Sequence, residues 1–245
     1  DGAGVGKGRT QAAIVLDTWL QGHQKALWVS ASADLLADAR RDLEALSNAA
    51  PGTPPLHTML MPLTQVPVTA AIEAPCGIIF CSYALLARPA RMAQVLAWCG
   101  ARKPFHGVLA LDECHRAKAA GSTSSGTAVL KLQAELPLAR VVYASATAAT
   151  ELHNMQYLTR LGLWGGGTPY TNFAEFRDEL QAGGKTAAGL VTDLAGSSNN
   201  IIEVSRVVTL THDDGSTDTV VIGDNLSNGE SLTLDFDDLG VVIDL

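Results

Sequence analysis

The sequence predicts an α/β protein with a mostly parallel sheet and helices on both faces, followed by a small antiparallel β module. Three observations carry this. Short apolar runs alternate with amphipathic helical patterns over about the first 180 residues, the rhythm of strand and crossover helix. A glycine-rich stretch, "DGAGVGKGRT", stands directly before the first helical pattern. Past Gly189 the rhythm changes to β-branched runs of period two, separated by turn clusters such as "DDGS" and "SNGE".

Each element follows from its own residues. "RTQAAIVLDTWLQG" places Ile14, Val15, Trp19 and Leu20 in a helical pattern that stops at Gly22. "KALWVS" suits a buried strand, and "ADLLADARRDLEALS" sets Leu35, Leu36, Leu43 and Leu46 on one side of a helix. From Asn48 to Pro75 proline and threonine predict irregular chain with one strand near "LHTMLM". Order resumes at "CGIIFCS", and Pro89 starts a helix that runs to about Trp98. "HGVLALDE" reads as a central parallel strand ending in two carboxylates. "TAVLKLQAELP" reads as helix, "ARVVYASAT" as strand, and "TELHNMQYLTRLGL" and "NFAEFRDELQAGG" as helices. "AGGKTAAG" is a short linker, dividing the chain into residues 1–186 and an all-β unit of four or five strands at 187–245.

Composition bounds the function. With 47% hydrophobic and 17% charged residues in a 245-residue chain, a disordered protein is excluded and a sizeable core is available. No apolar run approaches the roughly 20 residues that span a bilayer, and no signal-peptide pattern stands at the front, so a cytoplasmic location is expected. Cys76, Cys81, Cys99 and Cys114 form no C-x-x-C pair and read as free, mostly buried thiols. The net charge of −8 is uneven: residues 187–245 carry eleven acids against Arg206 as their single base. The acidity therefore belongs to the tail and does not exclude nucleic acid from residues 1–186. Asp235, Asp237 and Asp238 do not have the spacing of an EF-hand loop and read as solvated acids.

Chemistry concentrates in three segments. In "GAGVGKG", glycines let backbone N–H groups converge on phosphate, the following helix adds its dipole, and Lys7 can reach terminal phosphates. Two departures from G-x-x-x-x-G-K stand out: Asp1 replaces the first glycine, and Gly8 replaces the usual Ser or Thr. "VLALDECH" delivers Asp112 and Glu113 to the C-terminal end of a strand, where α/β sheets bind ligands. There Asp112 suits Mg²⁺, held through water, and Glu113 suits the attacking water of phosphoryl transfer. "YASAT" then brings Ser145 and Thr147 to a further strand end.

In this order the three segments resemble motifs I, II and III of superfamily-two helicases, with motif II in its DExH form, "DECH". The D-x-x-G-x-G-K loop beginning at Asp1 is similar to that of chromatin-remodelling translocases. The closer resemblance is to the strawberry notch family of helicase-like proteins. It is carried by "DGAGVGKGRT", "KALWVSASADLLADARRDL", "IIFCSYALL", "VLALDECHRAK", "VVYASATAATELHNMQYLTRLGLWGGGTPY" and "NFAEF", and covers residues 1 to about 185. That family carries the same Gly-Lys-Gly-Arg variant.

The resemblance implies a RecA-like P-loop three-layer sandwich that binds ATP and Mg²⁺, the ATP-binding lobe of a DNA-dependent ATPase that hydrolyses ATP to drive nucleic-acid translocation or remodelling when a second lobe is present. Gly4, Val5, Gly6, Lys7, Gly8, Arg9 and Thr10 would cradle the nucleotide, and Lys7, Asp112, Glu113 and His115 would be catalytic. His115 would link the nucleotide site to nucleic acid, and Ser145 and Thr147 would couple ATP state to movement. Ser30, Ser32, Ser82 and Tyr83 fall in segments resembling motifs that touch a nucleic-acid backbone, contacts without sequence specificity. With no hydroxyl on residue 8, Mg²⁺ would lean on Asp112, on water or on Thr10.

Two further expectations follow. A helicase motor needs a second RecA-like lobe with an arginine for the ATP site, and nothing after Thr186 has the makings of one, so residues 1–245 alone are expected to turn ATP over weakly or not at all. The missing lobe leaves open a nucleotide-binding module without turnover of its own, and the tail, which resembles β inserts of flagellins and repeats of secreted adhesins, leaves open a structural β fusion. A nucleoid or nuclear location would suit a DNA-driven parent protein.

Overall fold

The computed structural model describes residues 7–49, 52–100, 104–117, 123–145, 152–166 and 168–182, and the backbone of four strands in the tail. Five parallel strands form the body of the sheet: β1 (Lys25–Ser30), β2 (Leu60–Pro62), β3 (Gly77–Ser82), β4 (Val108–Leu111) and β5 (Arg140–Tyr143), in the order β2-β3-β1-β4-β5. The helices are α1 (Lys7–Leu20), α2 (Leu36–Ala49), α3 (Tyr83–Leu86), α4 (Pro89–Gly100), α5 (Ser124–Glu135) and α6 (Phe173–Ala182). In the tail, β6 (Val207–Thr211), β7 (Thr217–Gly223), β8 (Leu234–Phe236) and β9 (Val241–Asp244) pair antiparallel, and β7 lies antiparallel beside β5.

Alternation along the strands makes two cores. Successive strand side chains point to opposite faces. On β1, Ala26 and Trp28 join the face packed by Ile14, Val15 and Trp19 of α1 and Leu43 and Leu46 of α2. Leu27 and Val29 join the other face, with Val95 and Trp98 of α4, Val129 and Leu132 of α5, and Phe176 and Leu180 of α6. This is the three-layer α/β sandwich that the strand and helix rhythm predicts. All four residues of β4 are 0% exposed, so the strand that carries the acidic pair is the most deeply set.

Helix α1 ends where glycine dictates. Gly22 has φ 91°, its N–H donates to the Trp19 carbonyl and that of His23 to the Thr18 carbonyl, the paired bonds of a Schellman cap. Leu20, expected on the buried side, is 69% exposed, because the stripe formed by Ile14, Val15 and Trp19 leaves it on the outer flank. Lower down, Arg140 at the start of β5 donates to Asp17 (3.2 Å) and Thr18 (3.3 Å) and pins this end of the helix to the sheet.

The expected helix over "TELHNMQYLTRLGL" is corrected. A 3-10 turn at Leu152–Met155 is followed by irregular chain. Met155 and Tyr157 are both buried, although residues two apart do not share a helical face. The Arg160 N–H donates to the Tyr143 hydroxyl, and its guanidinium caps α5 by donating to the carbonyls of Gln133, Leu136 and Pro137. Distant partners thus take the Arg160 N–H and, through Gln133 Nε2, the Tyr157 carbonyl, and the remaining backbone bonds close single turns.

No helix among the described residues is long and apolar enough to cross a membrane. The four cysteines are free and all but Cys76 are buried. Burial pushes the thiols of Cys81, Cys99 and Cys114 up to about 12, which makes them packing residues and not nucleophiles.

Helix α6 supplies a stability test. The Asn172 carboxamide oxygen accepts from the Glu175 N–H (3.1 Å), and the Glu175 carboxylate accepts from the Thr171 N–H (2.8 Å) and hydroxyl (2.7 Å). These bonds to Thr171 hold the Glu175 carboxyl below its ordinary value. Asn172→Ala is expected to cost about 1 kcal/mol in chemical denaturation. The Glu175 contribution is present above its unfolded pKa and is lost as pH falls through the lowered folded value. Denaturation curves of Glu175→Gln should therefore lie below wild type at neutral pH and converge with it in acid.

Candidate nucleotide site

The site is organised around Asp112, the first residue past β4. Its N–H donates to the Val29 carbonyl (2.8 Å), and its own carbonyl accepts from the Tyr83 hydroxyl (2.8 Å). One carboxylate oxygen accepts from Gln11 Nε2 at 3.1 Å and the other from the Ser30 hydroxyl at 2.6 Å. Helix α1, strand β1 and the start of α3 therefore all fix the same residue. Each carboxylate oxygen keeps further lone pairs for a ligand. Gln11 has no place in the sequence motifs, yet it follows Lys7 by one helical turn and so shares its face. That spacing is the signal by which it was findable.

Glu113 turns the chain. Its φ of 48° makes it the one non-glycine residue in the left-handed region among those described. Such a conformation persists only where surroundings enforce it, and here Tyr83 holds the carbonyl before it while Cys114 N–H donates to Ala144 O (2.9 Å) after it. The turn brings Glu113 Oε2 to 3.2 Å from His115 Nδ1, which also lies 3.0 Å from Ser145 Oγ. With a proton on Nδ1 the ring donates toward the carboxylate; without one it accepts from the serine hydroxyl. The acidic motif and the "YASAT" strand end are thereby joined through one imidazole nitrogen.

At the head of α1, Lys7 and Gly8 are half-buried, Arg9 is exposed, and Thr10 is buried and has a partner. A Cβ on Gly8 would fall on Oδ2 of Asp42, a residue of α2, and within 2.9 Å of its Cγ. Burial raises the Asp42 carboxyl above its ordinary value; Arg41 and Arg9 oppose this, and Asp38 and Asp112 add to it. Asp42 escaped the sequence reading because only the packing of α2 beside α1 brings it here.

Of the residues expected at a nucleic-acid strand, Ser30 and Tyr83 are buried and spend their hydroxyls on Asp112, so neither faces solvent where a strand could lie. Ser32 and Ser82 are half-buried helix caps, accepting from the N–H groups of Asp34 (3.2 Å) and Leu85 (3.2 Å). Gly4, Val5, Gly6 and Thr147 lie outside the described residues.

The residues present fit a nucleotide with a divalent cation. The Gln11 carboxamide oxygen, fully buried beside Asp112, has no hydrogen-bond partner, a cost the interior rarely tolerates unless a ligand or water meets it. Among the described residues no three or more His, Cys, Asp or Glu side chains converge on one point. A cation here would take phosphate oxygens and water for most of its shell, as Mg²⁺ commonly does.

A family model described as "P-loop containing NTP hydrolase pore-1" matches residues 1–196. The human "Protein strawberry notch homolog 2" is 46% identical over 199 residues, covering 78% of this chain and 14% of that protein. "Protein FORGETTER 1" of Arabidopsis thaliana is 43% identical over 202 residues, covering 78% and 15%, and Drosophila melanogaster "Protein strawberry notch" is 42% identical over 208 residues, covering 78% and 12%. The chain thus spans about one seventh of the length of these relatives. No solved structure matches it.

Glu113→Asn tests the backbone argument apart from any chemistry. Asparagine tolerates the left-handed region better than glutamate, so thermal melting should show the variant at least as stable as wild type, by up to about 1 kcal/mol. A clear loss of stability would count against strain at this turn.

Proposed function

The chain belongs to the P-loop containing NTP hydrolase pore-1 family, and we propose that its residues 1–186 are the ATP-binding lobe of a DNA-dependent, helicase-like ATPase of the strawberry notch type. The family implies a nucleotide with a divalent metal; ATP and Mg²⁺ are the proposed pair. One observation carries the reading furthest: Asp112, held from three elements, adjoins a Glu113 that the backbone turns toward His115, whose Nδ1 also lies beside Ser145.

The roles divide by chemistry. Backbone N–H groups at the start of α1 and the Lys7 ammonium bind phosphate oxygens. Asp112 presents fixed carboxylate oxygens on the metal side of the site. The metal supplies neutralisation of charge on the transferred phosphoryl group when bound. Glu113 orients a water and accepts its proton, and His115 relays the state of that carboxylate to Ser145. Ser145 and Thr147 couple the nucleotide to movement, and Ser32 and Ser82 are the remaining candidates for a DNA backbone.

The chain covers 12–15% of the relatives named above, and a second RecA-like lobe from elsewhere in the parent protein belongs to this reading. Residues 187–245 are proposed as an acidic all-β unit of separate role, and the parent is proposed to act in the cytoplasm, nucleoid or nucleus.

ATP turnover of the full-length parent, with and without DNA, tests the assignment. Lys7→Ala is expected to abolish nucleotide binding. Glu113→Gln is expected to bind ATP normally while losing turnover by about 10²-fold or more; an unchanged rate would sink the catalytic role of Glu113. A second reading, a nucleotide-binding module without turnover of its own, is favoured by the short span of the chain, since an arginine supplied in trans can account for about 10³ to 10⁵ in rate. Calorimetry on residues 1–245 separates the two: binding without hydrolysis supports the module, and brisk turnover removes it.

A further inference from the structure

Residue 8 is glycine where phosphate loops carry a hydroxyl, and the packing of α2 gives a reason. A Cβ at this position would land on the Asp42 carboxylate. The space of a serine side chain is therefore already filled by an oxygen, delivered from the neighbouring helix. Asp42 is placed there by its own helix: Ala39, Leu43 and Leu46 bury one face of α2 against the core that α1 shares, and the preceding turn is capped by Ser32. Its nearest ion-pair partner, Arg41, stands 4.0 Å away and engages Asp38 at 2.9 Å from an exposed position. Such a surface pair holds a carboxylate weakly.

A second observation points to a ligand at the same place. Gln11, three residues past Gly8 and so on the same side of α1, is 0% exposed; its Nε2 is committed to Asp112 and its Oε1 meets nothing. A buried carboxamide oxygen without a donor costs about 1–3 kcal/mol. A water in the shell of a bound cation is a donor of the right chemistry. The charges agree with this: Arg9 and Arg41 act on Asp42, but a carboxylate beside nucleotide phosphates still repels them, and a divalent cation between the two turns that repulsion into attraction.

We propose that Asp42 supplies, from α2, the oxygen ligand for the nucleotide's divalent cation that residue 8 cannot supply, with Gln11 Oε1 accepting from a water of that cation's shell. The assignment rests on the nucleotide-site reading above and extends it to two residues outside the loop and the acidic motif. It also makes Gly8 and Asp42 a matched pair, in which a hydroxyl at residue 8 and a carboxylate at residue 42 are alternatives.

Mn²⁺ is the probe, followed by its electron paramagnetic resonance signal with saturating ADP on the full 245-residue chain; fluorescent ADP binding in EDTA gives the metal-free affinity. Asp42→Asn should weaken Mn²⁺ binding by roughly 10-fold or more while metal-free ADP binds as well as to wild type or better. Gly8→Ser should weaken Mn²⁺ binding by turning the flexible Asp42 carboxylate out of its place beside residue 8. Gly8→Ser combined with Asp42→Ala should recover Mn²⁺ binding beyond Asp42→Ala alone, whereas Gly8→Ala combined with Asp42→Ala, which fills the same space without a hydroxyl, should not. Far-UV circular dichroism checks that each variant is folded, and the rescue serves where a single variant is not. Unchanged Mn²⁺ binding by Asp42→Asn, or equal losses with and without metal, overturns the assignment of Asp42 alone. Failure of wild type to bind ADP under both conditions removes the nucleotide reading and this inference with it.

Discussion

The bonds that converge on Asp112 organise the rest of the site. Its carboxylate takes a hydrogen bond from Gln11 on α1 and another from Ser30 on β1, while its backbone is bonded to Val29 and to the Tyr83 hydroxyl. Charge-assisted hydrogen bonds of this kind are among the stronger ones a protein makes. They fix where the head of α1 stands relative to the strand ends, and hence where a phosphate and an acidic group can meet. The far end of α1 is held separately by Arg140 and Asp17, so the helix cannot pivot about either attachment.

Polar groups carry this arrangement inside an otherwise apolar body. Ser30 and Gln11 are buried completely and Tyr83 nearly so, and each spends its donor on Asp112. Removing any one would leave an acceptor short of a partner, a larger loss than the bond itself contributes. A similar network, formed by Gln133, Tyr143, Thr159 and Arg160, locks the irregular segment after β5 against the end of α5. Tyr143 of this network stands two residues before Ser145, whose hydroxyl lies beside His115 Nδ1.

The contrast between parts of the chain is instructive about what a linear reading can reach. α1 was legible because its apolar spacing and Gly22 agree, and the acidic strand because four apolar residues precede two carboxylates. The segment after Thr150 looked helical by the same rule and is not, since Arg160 and Tyr157 find partners far away in sequence. Ser30 and Tyr83 were legible as strand-end residues, but their partner was not: alternation places a side chain on a face without saying what lies opposite it. Asp42 was invisible, for it sits in an unremarkable charged helix and matters only through its neighbour.

The sequence by itself determined the α/β class, the chain order of loop, acidic strand and "YASAT" strand, and the residue types at each, because periodicity and turn chemistry are local properties. Only the tertiary structure decided which of these residues touch. The parallel sheet brings strand ends that are tens of residues apart to one edge, and the packing of α2 beside α1 sets a carboxylate against a glycine thirty-four positions away. Contacts of that range depend on how whole elements pack, and no local pattern in the chain encodes them.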